Sequence, residues 1–98
     1  MTHPKKLEAH DVTTWVAAHP GWTLDASGAL VRALTFPDFA SALAFVVRVG
    51  LAAEKKDHHP DIELGWGKAR VRWTTHDAGG ITSLDLELAT LTDSFARA

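Results

Sequence analysis

The chain has 98 residues, of which 46% are hydrophobic, and this length and composition indicate one soluble globular domain. It contains no cysteine, which excludes a disulfide framework, a thiolate metal site and a cysteine nucleophile, and which suits a reducing cytoplasm. The formal net charge of −2 and an isoelectric point near 6.3 argue against a nucleic-acid-binding surface. No stretch has the length and apolarity of a signal peptide or a membrane span, so we expect a cytoplasmic protein with no membrane partner.

Hydrophobic periodicity, turn residues and capping residues divide the chain into helices and strands. In chain order, the predicted elements are a helix over 8–18, strands over 22–24 and 29–34, a helix from 37 to 55 or 56, strands over 62–66 and 68–75, and a helix that follows Thr82 and includes Leu84 to Phe95. Gly28 suits a positive φ in the first hairpin loop, and Pro37 suits the first turn of the second helix. Thr82 and Asp85 have the spacing of a capping box.

The predicted order is α-β-β-α-β-β-α, and its two hairpins can join into one four-stranded antiparallel sheet. Three amphipathic helices packed on one face of that sheet would form an α+β two-layer sandwich, a single domain over residues 1–98. The other face would remain open and polar, available to a partner subunit.

Three histidines in two separate segments are the most informative residues of the chain. Residues 57–60 read Asp-His-His-Pro, and residues 75–77 read Thr-His-Asp. Pro60 biases the residue before it away from helical geometry, so the second helix must end before His59. A short turn joins the third and fourth strands, which brings the start of one near the end of the other. We therefore expect His58, His59 and His76 to share one cleft.

The residues alone leave three interpretations of these histidines open. Three imidazoles with Asp57 or Asp77 could hold zinc, but adjacent histidines rarely bind one ion and no His-x-x-x-His spacing is present, so no metal is predicted. The histidines could instead satisfy local backbone groups, the role we assign to His3, His10 and His19. The third interpretation is general acid/base catalysis on a neutral organic substrate. No glycine loop for phosphates, nucleophile elbow or dinucleotide fingerprint is present, so no cofactor is predicted.

The spacing of residues around the histidines resembles the signature of the pterin-4a-carbinolamine dehydratase family. The residues that carry the resemblance are Glu54, His58-His59-Pro60, Trp66, His76 and Asp85, with Thr75, Asp77, Gly79-Gly80 and Thr82 beside them. The resemblance covers about Trp22 to Phe95, and the family's fold has the predicted element order.

The resemblance implies removal of water from 4a-hydroxytetrahydropterin to give quinonoid dihydropterin, a step of tetrahydrobiopterin recycling that uses no cofactor. It implies that His58, His59 and His76 are catalytic, with His58 and His76 as the proton-transfer pair and His59 orienting the pterin. The substrate-binding residues that it implies are Asp57, Pro60, Trp66, Thr75, Asp77, Ala78 and Asp85. The family forms dimers and tetramers, so a homo-oligomer is expected, paired through the open sheet face and the last helix.

Some of these residues also have a structural interpretation. Trp66 can fill the hairpin core, Asp85 can cap the last helix, and Glu54 can be a solvated charge at the end of the second helix. We expect Asp57 to orient a histidine. A second class of function also stays open, because some members of the family resemble non-catalytic dimerisation partners of a transcription factor or assembly helpers.

Overall fold

The computed structural model describes residues 4–97, which form a four-stranded antiparallel sheet covered on one face by three α-helices. The elements are α1 (Ala9–Ala18), β1 (Trp22–Leu24), β2 (Leu30–Thr35), α2 (Phe39–Lys56), β3 (Asp61–Gly65), β4 (Lys68–Trp73), a 3₁₀ turn at His76–Ala78 and α3 (Ser83–Ala96). The strand order is β1-β2-β4-β3. The predicted α+β class and α-β-β-α-β-β-α order are confirmed. His3 lies outside the described residues.

Most boundaries lie within one residue of the prediction, and two differ by two residues for local reasons. Helix α2 begins at Phe39 because the Asp38 carboxylate accepts a hydrogen bond from the Ser41 N–H at 2.7 Å and caps the first turn. Strand β4 ends at Trp73, since the chain then closes a tight loop in which the Thr75 N–H donates to the Gly80 carbonyl at 3.0 Å. His76 therefore sits in a turn after the strand.

The core lies between the helices and one face of the sheet. Alternate β4 side chains, Ala69, Val71 and Trp73, are buried against the helices. Trp73 is 1% exposed, and its indole N–H donates to the Thr92 hydroxyl of α3 at 3.1 Å. The hydrogen bond satisfies the polar group of this buried indole, so packing and a polar contact together anchor the end of β4.

The opposite face of the sheet is polar, and both of its arginines are paired with carboxylates. Arg72 donates to Asp25 at 2.7 Å, to the Ser27 hydroxyl at 2.7 Å and to Asp61 at 3.0 Å. The hydrogen bond from Arg72 is the main reason why the pKa of Asp25 lies far below its ordinary value. Among the helices of residues 4–97, none combines the length and apolarity needed to cross a membrane.

Candidate active site

The two histidine segments meet at one end of the β3–β4 hairpin. Asp61 pairs with Arg72 across this hairpin, so the residues before β3 lie beside those that follow β4. Together they line an open hollow of about 280 Å³, which is near the lower end of small-molecule pockets at roughly 300 Å³. The lining residues are Asp57, His58, His59, Thr74, Thr75, His76 and Asp77. All three histidines that were predicted to be catalytic line the same hollow.

The end of α2 aims the two adjacent histidines in different directions. Asp57 adopts a left-handed conformation with φ 50°, and its N–H closes the helix on the Ala53 and Glu54 carbonyls. This reversal turns His58 toward the core, with 13% of its side chain exposed, and leaves the His59 side chain 57% exposed. The backbone of Asp57 thus places the pair, whereas we had expected its carboxylate to do so.

Two contacts hold the His58 ring. Its Nε2 lies 2.6 Å from Oδ1 of Asp85, and its ring stacks on Trp73 with centroids 5.8 Å apart and an interplanar angle of 15°. Because a carboxylate only accepts hydrogen bonds, it fixes the neutral imidazole with its proton on Nε2. The lone pair on Nδ1 is then the group that His58 can offer to a ligand.

Asp85 is a fully buried carboxylate with a donor on each oxygen. Besides His58 on Oδ1, Oδ2 accepts the Thr75 hydroxyl at 2.6 Å and the Thr82 N–H at 2.9 Å. Thr82 and Asp85 form the predicted capping box at the start of α3. Asp85 is not among the residues that line the hollow, so it acts there through His58 and does not present its own oxygens.

His59 and His76 occupy more exposed positions. The Nε2 atom of His59 lies 2.7 Å from Oε1 of Glu54, whose side chain is 76% exposed. Glu54 is therefore exposed at the helix end, as predicted, but it also contacts a histidine. His76 begins the 3₁₀ turn, which the Gly79 backbone closes in a left-handed conformation with φ 78°. Backbone hydrogen bonds between Thr75 and Gly80 hold this loop against the hollow.

The remaining predicted binding residues divide into two groups. Thr75 and Asp77 line the hollow with Asp57, whereas Pro60 and Ala78 do not. Trp66 is 72% exposed in the turn between β3 and β4, at the far end of β3 from the histidines. It belongs neither to the hairpin core nor to the hollow of its own chain.

Sequence reasoning missed the direct contacts of the histidines. It assigned Trp73 to the core and did not anticipate that His58 stacks on it, nor that Asp85 and Glu54 are the carboxylates that bind the ring nitrogens. Glu54 is one helical turn before the His58-His59 pair, a spacing that does indicate proximity. Within residues 4–97, no group of three or more His, Asp or Glu is arranged to hold a metal ion.

Comparison with known proteins identifies the family of the chain. Residues 5–95 match the family model described as "Pterin 4 alpha carbinolamine dehydratase". The chain belongs to this family. A relative from Rhizorhabdus wittichii, provisionally named a pterin-4-alpha-carbinolamine dehydratase, is 44% identical over 97 residues, covering 98% of this chain and 94% of the relative. A similarly named relative from Chloroflexus aggregans is 39% identical over 88 residues, covering 90% and 94%.

Solved structures are similar as well. A transcriptional coactivator/pterin dehydratase from Brucella melitensis has a TM-score of 0.89 and 31% identity, covering 94% of this chain and 99% of that one. A pterin dehydratase-like protein described as a RuBisCO assembly factor in the alpha-carboxysome has a TM-score of 0.67 and 19% identity, covering 80% and 92%. At that identity the second likeness shows a common fold alone.

Proposed function

We propose that this protein removes water from a 4a-hydroxytetrahydropterin and releases quinonoid dihydropterin, as a step of tetrahydrobiopterin recycling. The observation that carries the proposal is the single hollow lined by His58, His59 and His76 in a member of the dehydratase family. A cytoplasmic location for this step remains a prediction from the cysteine-free composition.

The proposed reaction needs two proton transfers and no change of oxidation state. The C4a–O bond breaks as its oxygen gains a proton and leaves as water. The neighbouring ring nitrogen loses its proton, and the electron pair of that N–H bond forms the C=N double bond. Histidine suits both transfers, because near neutral pH an imidazolium can donate and a neutral imidazole can accept.

The surroundings of the histidines support a division of roles. The bond to Asp85 keeps the Nδ1 lone pair of His58 available, which favours His58 as the base at the ring nitrogen. His76, on the exposed turn across the hollow, then donates the proton to the departing hydroxyl. His59 orients the pterin from the rim.

The proposal is tested by following quinonoid dihydropterin formation from synthetic carbinolamine. His58→Ala and His76→Ala should each lower kcat by roughly 10²- to 10⁴-fold, the usual contribution of a positioned acid or base. His10→Ala, an exposed position on α1 outside the hollow, is the matched control and should leave the rate unchanged. Wild-type rates in both site variants would refute the assignment.

We also propose that the protein is a homo-oligomer, but through a different surface from the predicted one. The open sheet face carries internally paired charges, whereas large apolar side chains are exposed along α2. These side chains, between 42% and 67% exposed, are Phe39, Leu43, Val47 and Leu51. An apolar stripe of this kind is typical of an interaction site. Light scattering should give a mass above the 10.6 kDa of one chain, and a monomer at micromolar concentration would contradict this.

The α2 stripe also supports the alternative of a non-catalytic dimerisation or assembly module. The Brucella melitensis neighbour is described as a coactivator as well as a dehydratase. Turnover separates the two functions, because a module that only binds partners would tolerate loss of His58 and His76. Two results together would favour the module: the wild-type protein has no dehydratase activity, and the Leu51→Lys substitution abolishes partner binding.

A further inference from the structure

The polar neighbours of the His58 ring lie at one of its two nitrogens. Nε2 lies 2.6 Å from Oδ1 of Asp85, and the Thr75 hydroxyl oxygen lies 3.4 Å from the same Nε2. Nε2 is close to the line of the His58 Cβ–Cγ bond, whereas the Nδ1 lone pair points sideways from that line. The torsion about this bond is intrinsically broad. A moderate rotation therefore leaves Nε2 near Asp85 but changes the direction of the Nδ1 lone pair.

The indole of Trp73 lies against the face of the same imidazole. The two rings are nearly parallel, with an interplanar angle of 15° and centroids 5.8 Å apart. Offset parallel stacking at about 4.5–7 Å is a favoured arrangement of aromatic rings. Rotation of the imidazole about Cβ–Cγ would tilt it away from the indole and lose this contact. The stack therefore defines the plane that the polar contacts leave free.

Helix α3 holds the indole in turn. The Trp73 N–H donates to the buried Thr92 hydroxyl at 3.1 Å, and that hydroxyl donates to the Leu88 carbonyl at 2.7 Å. Thr92 and Asp85 lie on one face of α3, about two turns apart. The same helix face thus fixes His58 twice, at the edge of its ring through Asp85 and at the face of its ring through Trp73.

We propose that Trp73 is a positioning residue of the active site, which acts through His58 by fixing the plane in which the Nδ1 lone pair points. In this division, Asp85 sets which nitrogen carries the proton, and Trp73 sets the direction of the other nitrogen. Trp73 is buried and is not among the residues that line the hollow, so it acts without contacting the pterin. The inference rests on the proposed function, because it concerns the residue assigned there as the base.

Loss of the stack should slow the chemical step more than it weakens binding. A general base works only within hydrogen-bond reach of the proton that it removes, and a displacement of about 1 Å can cost on the order of 10²-fold in rate. We expect kcat to fall by roughly 10- to 100-fold when the aromatic face is removed. KM should change little, because every residue that lines the hollow is retained. A residue with a merely structural role would lower stability and leave this ratio of kcat to KM unchanged.

Two substitutions of Trp73 separate the aromatic plane from the packing. Methionine fills irregular space in a core but has no planar face, so Trp73→Met should show the loss of kcat. Trp73→Phe keeps an aromatic face beside His58 and gives up the hydrogen bond to Thr92. It should therefore keep kcat within about threefold of wild type. A kcat in Trp73→Phe as low as that in Trp73→Met would contradict the role of the plane.

Trp22 provides a matched control, because it is a second buried indole bound to α3. It is 3% exposed, its N–H donates to Asp93 at 3.0 Å, and its ring packs on Trp15 instead of on His58. Trp22→Met should lower the free energy of unfolding in urea, as Trp73→Met does, and should leave kcat and KM unchanged. Equal kcat values in Trp22→Met and Trp73→Met would overturn the inference.

The geometry can also be observed by NMR without measuring turnover. The carbon-bound imidazole protons of His58, assigned by their absence from His58→Ala, should give nuclear Overhauser cross-peaks to the indole protons of Trp73. Nitrogen shifts of the imidazole identify which nitrogen carries the proton. They should report the proton on Nε2 in both wild type and Trp73→Met, because the bond to Asp85 remains. A proton moved to Nδ1 in Trp73→Met would show that the substitution acts through Asp85, and would overturn the inference.

The outcomes keep this inference apart from the proposed function. If the wild-type protein is active and Trp73→Met keeps its kcat, the inference is wrong and the dehydratase function stands. If the wild-type protein shows no turnover, the proposed function is wrong, and the catalytic role of Trp73 is lost with it. If Trp73→Met does not fold, two other results would each overturn the inference: no cross-peaks between His58 and Trp73 in wild type, or a loss of kcat of about tenfold or more in Trp73→Phe.

Discussion

Replacing Asp85 by Asn tests how the buried carboxylate controls His58. Asp85 accepts a hydrogen bond from His58 on Oδ1, and its Oδ2 accepts short ones from the Thr75 hydroxyl and the Thr82 N–H and a longer one from the Thr82 hydroxyl. An Asn side chain has the same shape, and its carbonyl oxygen can keep the bonds on the Oδ2 side. Its NH₂ group must then face Nε2 of His58. Since NH₂ only donates, the imidazole must move its proton to Nδ1.

The expected loss follows from this change of tautomer. Nδ1 would then carry a hydrogen where the proposed mechanism needs a lone pair, so we expect kcat to fall by roughly 10²- to 10³-fold, or about 3–4 kcal/mol. The free energy of unfolding should fall by only about 1–3 kcal/mol, the contribution of a hydrogen bond to a charged group. The effect on rate thus exceeds the effect on stability. Asp85→Ala, which removes the buried acceptor of His58, Thr75 and Thr82, should cost about 3–5 kcal/mol of stability.

The assay compares kcat, KM and urea unfolding for Asp85→Asn and Asp93→Asn. Asp93 is the matched control, because it is a half-buried carboxylate of the same helix that accepts hydrogen bonds from Trp22 and Arg32 away from the hollow. Asp93→Asn should lose stability and keep kcat. A wild-type kcat in Asp85→Asn, or equal losses of kcat in both variants, would refute the idea that Asp85 sets the His58 tautomer.

Two further predictions concern carboxylates outside the core. Glu54→Gln should change kcat/KM by less than about fivefold, because an exposed pair such as Glu54–His59 contributes roughly 0–1 kcal/mol. Steady-state kinetics measure this change, and a 100-fold loss would contradict the prediction. Asp25→Asn should destabilise the fold at neutral pH and less so in acid. The Arg72 hydrogen bond lowers the pKa of Asp25 in the folded protein below the ordinary 3.8. The ionised carboxylate therefore stabilises the fold fully above pH 3.8, and this stabilisation is lost as the pH falls toward the pKa of the folded state. Urea unfolding between pH 7 and pH 3 measures the difference, and a gap that widens in acid would contradict it.

The element order was predictable because each element carries its own local signal. Alternation of buried Val71 and Trp73 marks β4, and Thr82 with Asp85 marks the start of α3. Convergence of the histidines was also predictable, since a short hairpin brings its two ends together. The end of β4 was missed because hydrogen bonds between Thr75 and Gly80 close a loop, and such pairing depends on tertiary context.

The residues that contact the histidines could not be predicted from the sequence pattern. Asp57 is adjacent to His58 in sequence, but the left-handed turn at Asp57 sends the ring to Asp85, 27 residues further along. That contact exists only because α3 packs beside the end of α2. Trp66 was predicted to be either a core residue or a pocket wall. Its position in the sequence did not indicate that its side chain is exposed at the far end of β3 from the histidines.

A crystal structure with a bound 7,8-dihydropterin would test the site as a whole. We expect the bicyclic ring in the hollow between residues 57–59 and 74–77, with hydrogen bonds to Nδ1 of His58 and to the His76 ring. A pterin bound elsewhere on the molecule, with neither histidine in contact, would contradict the dehydratase assignment.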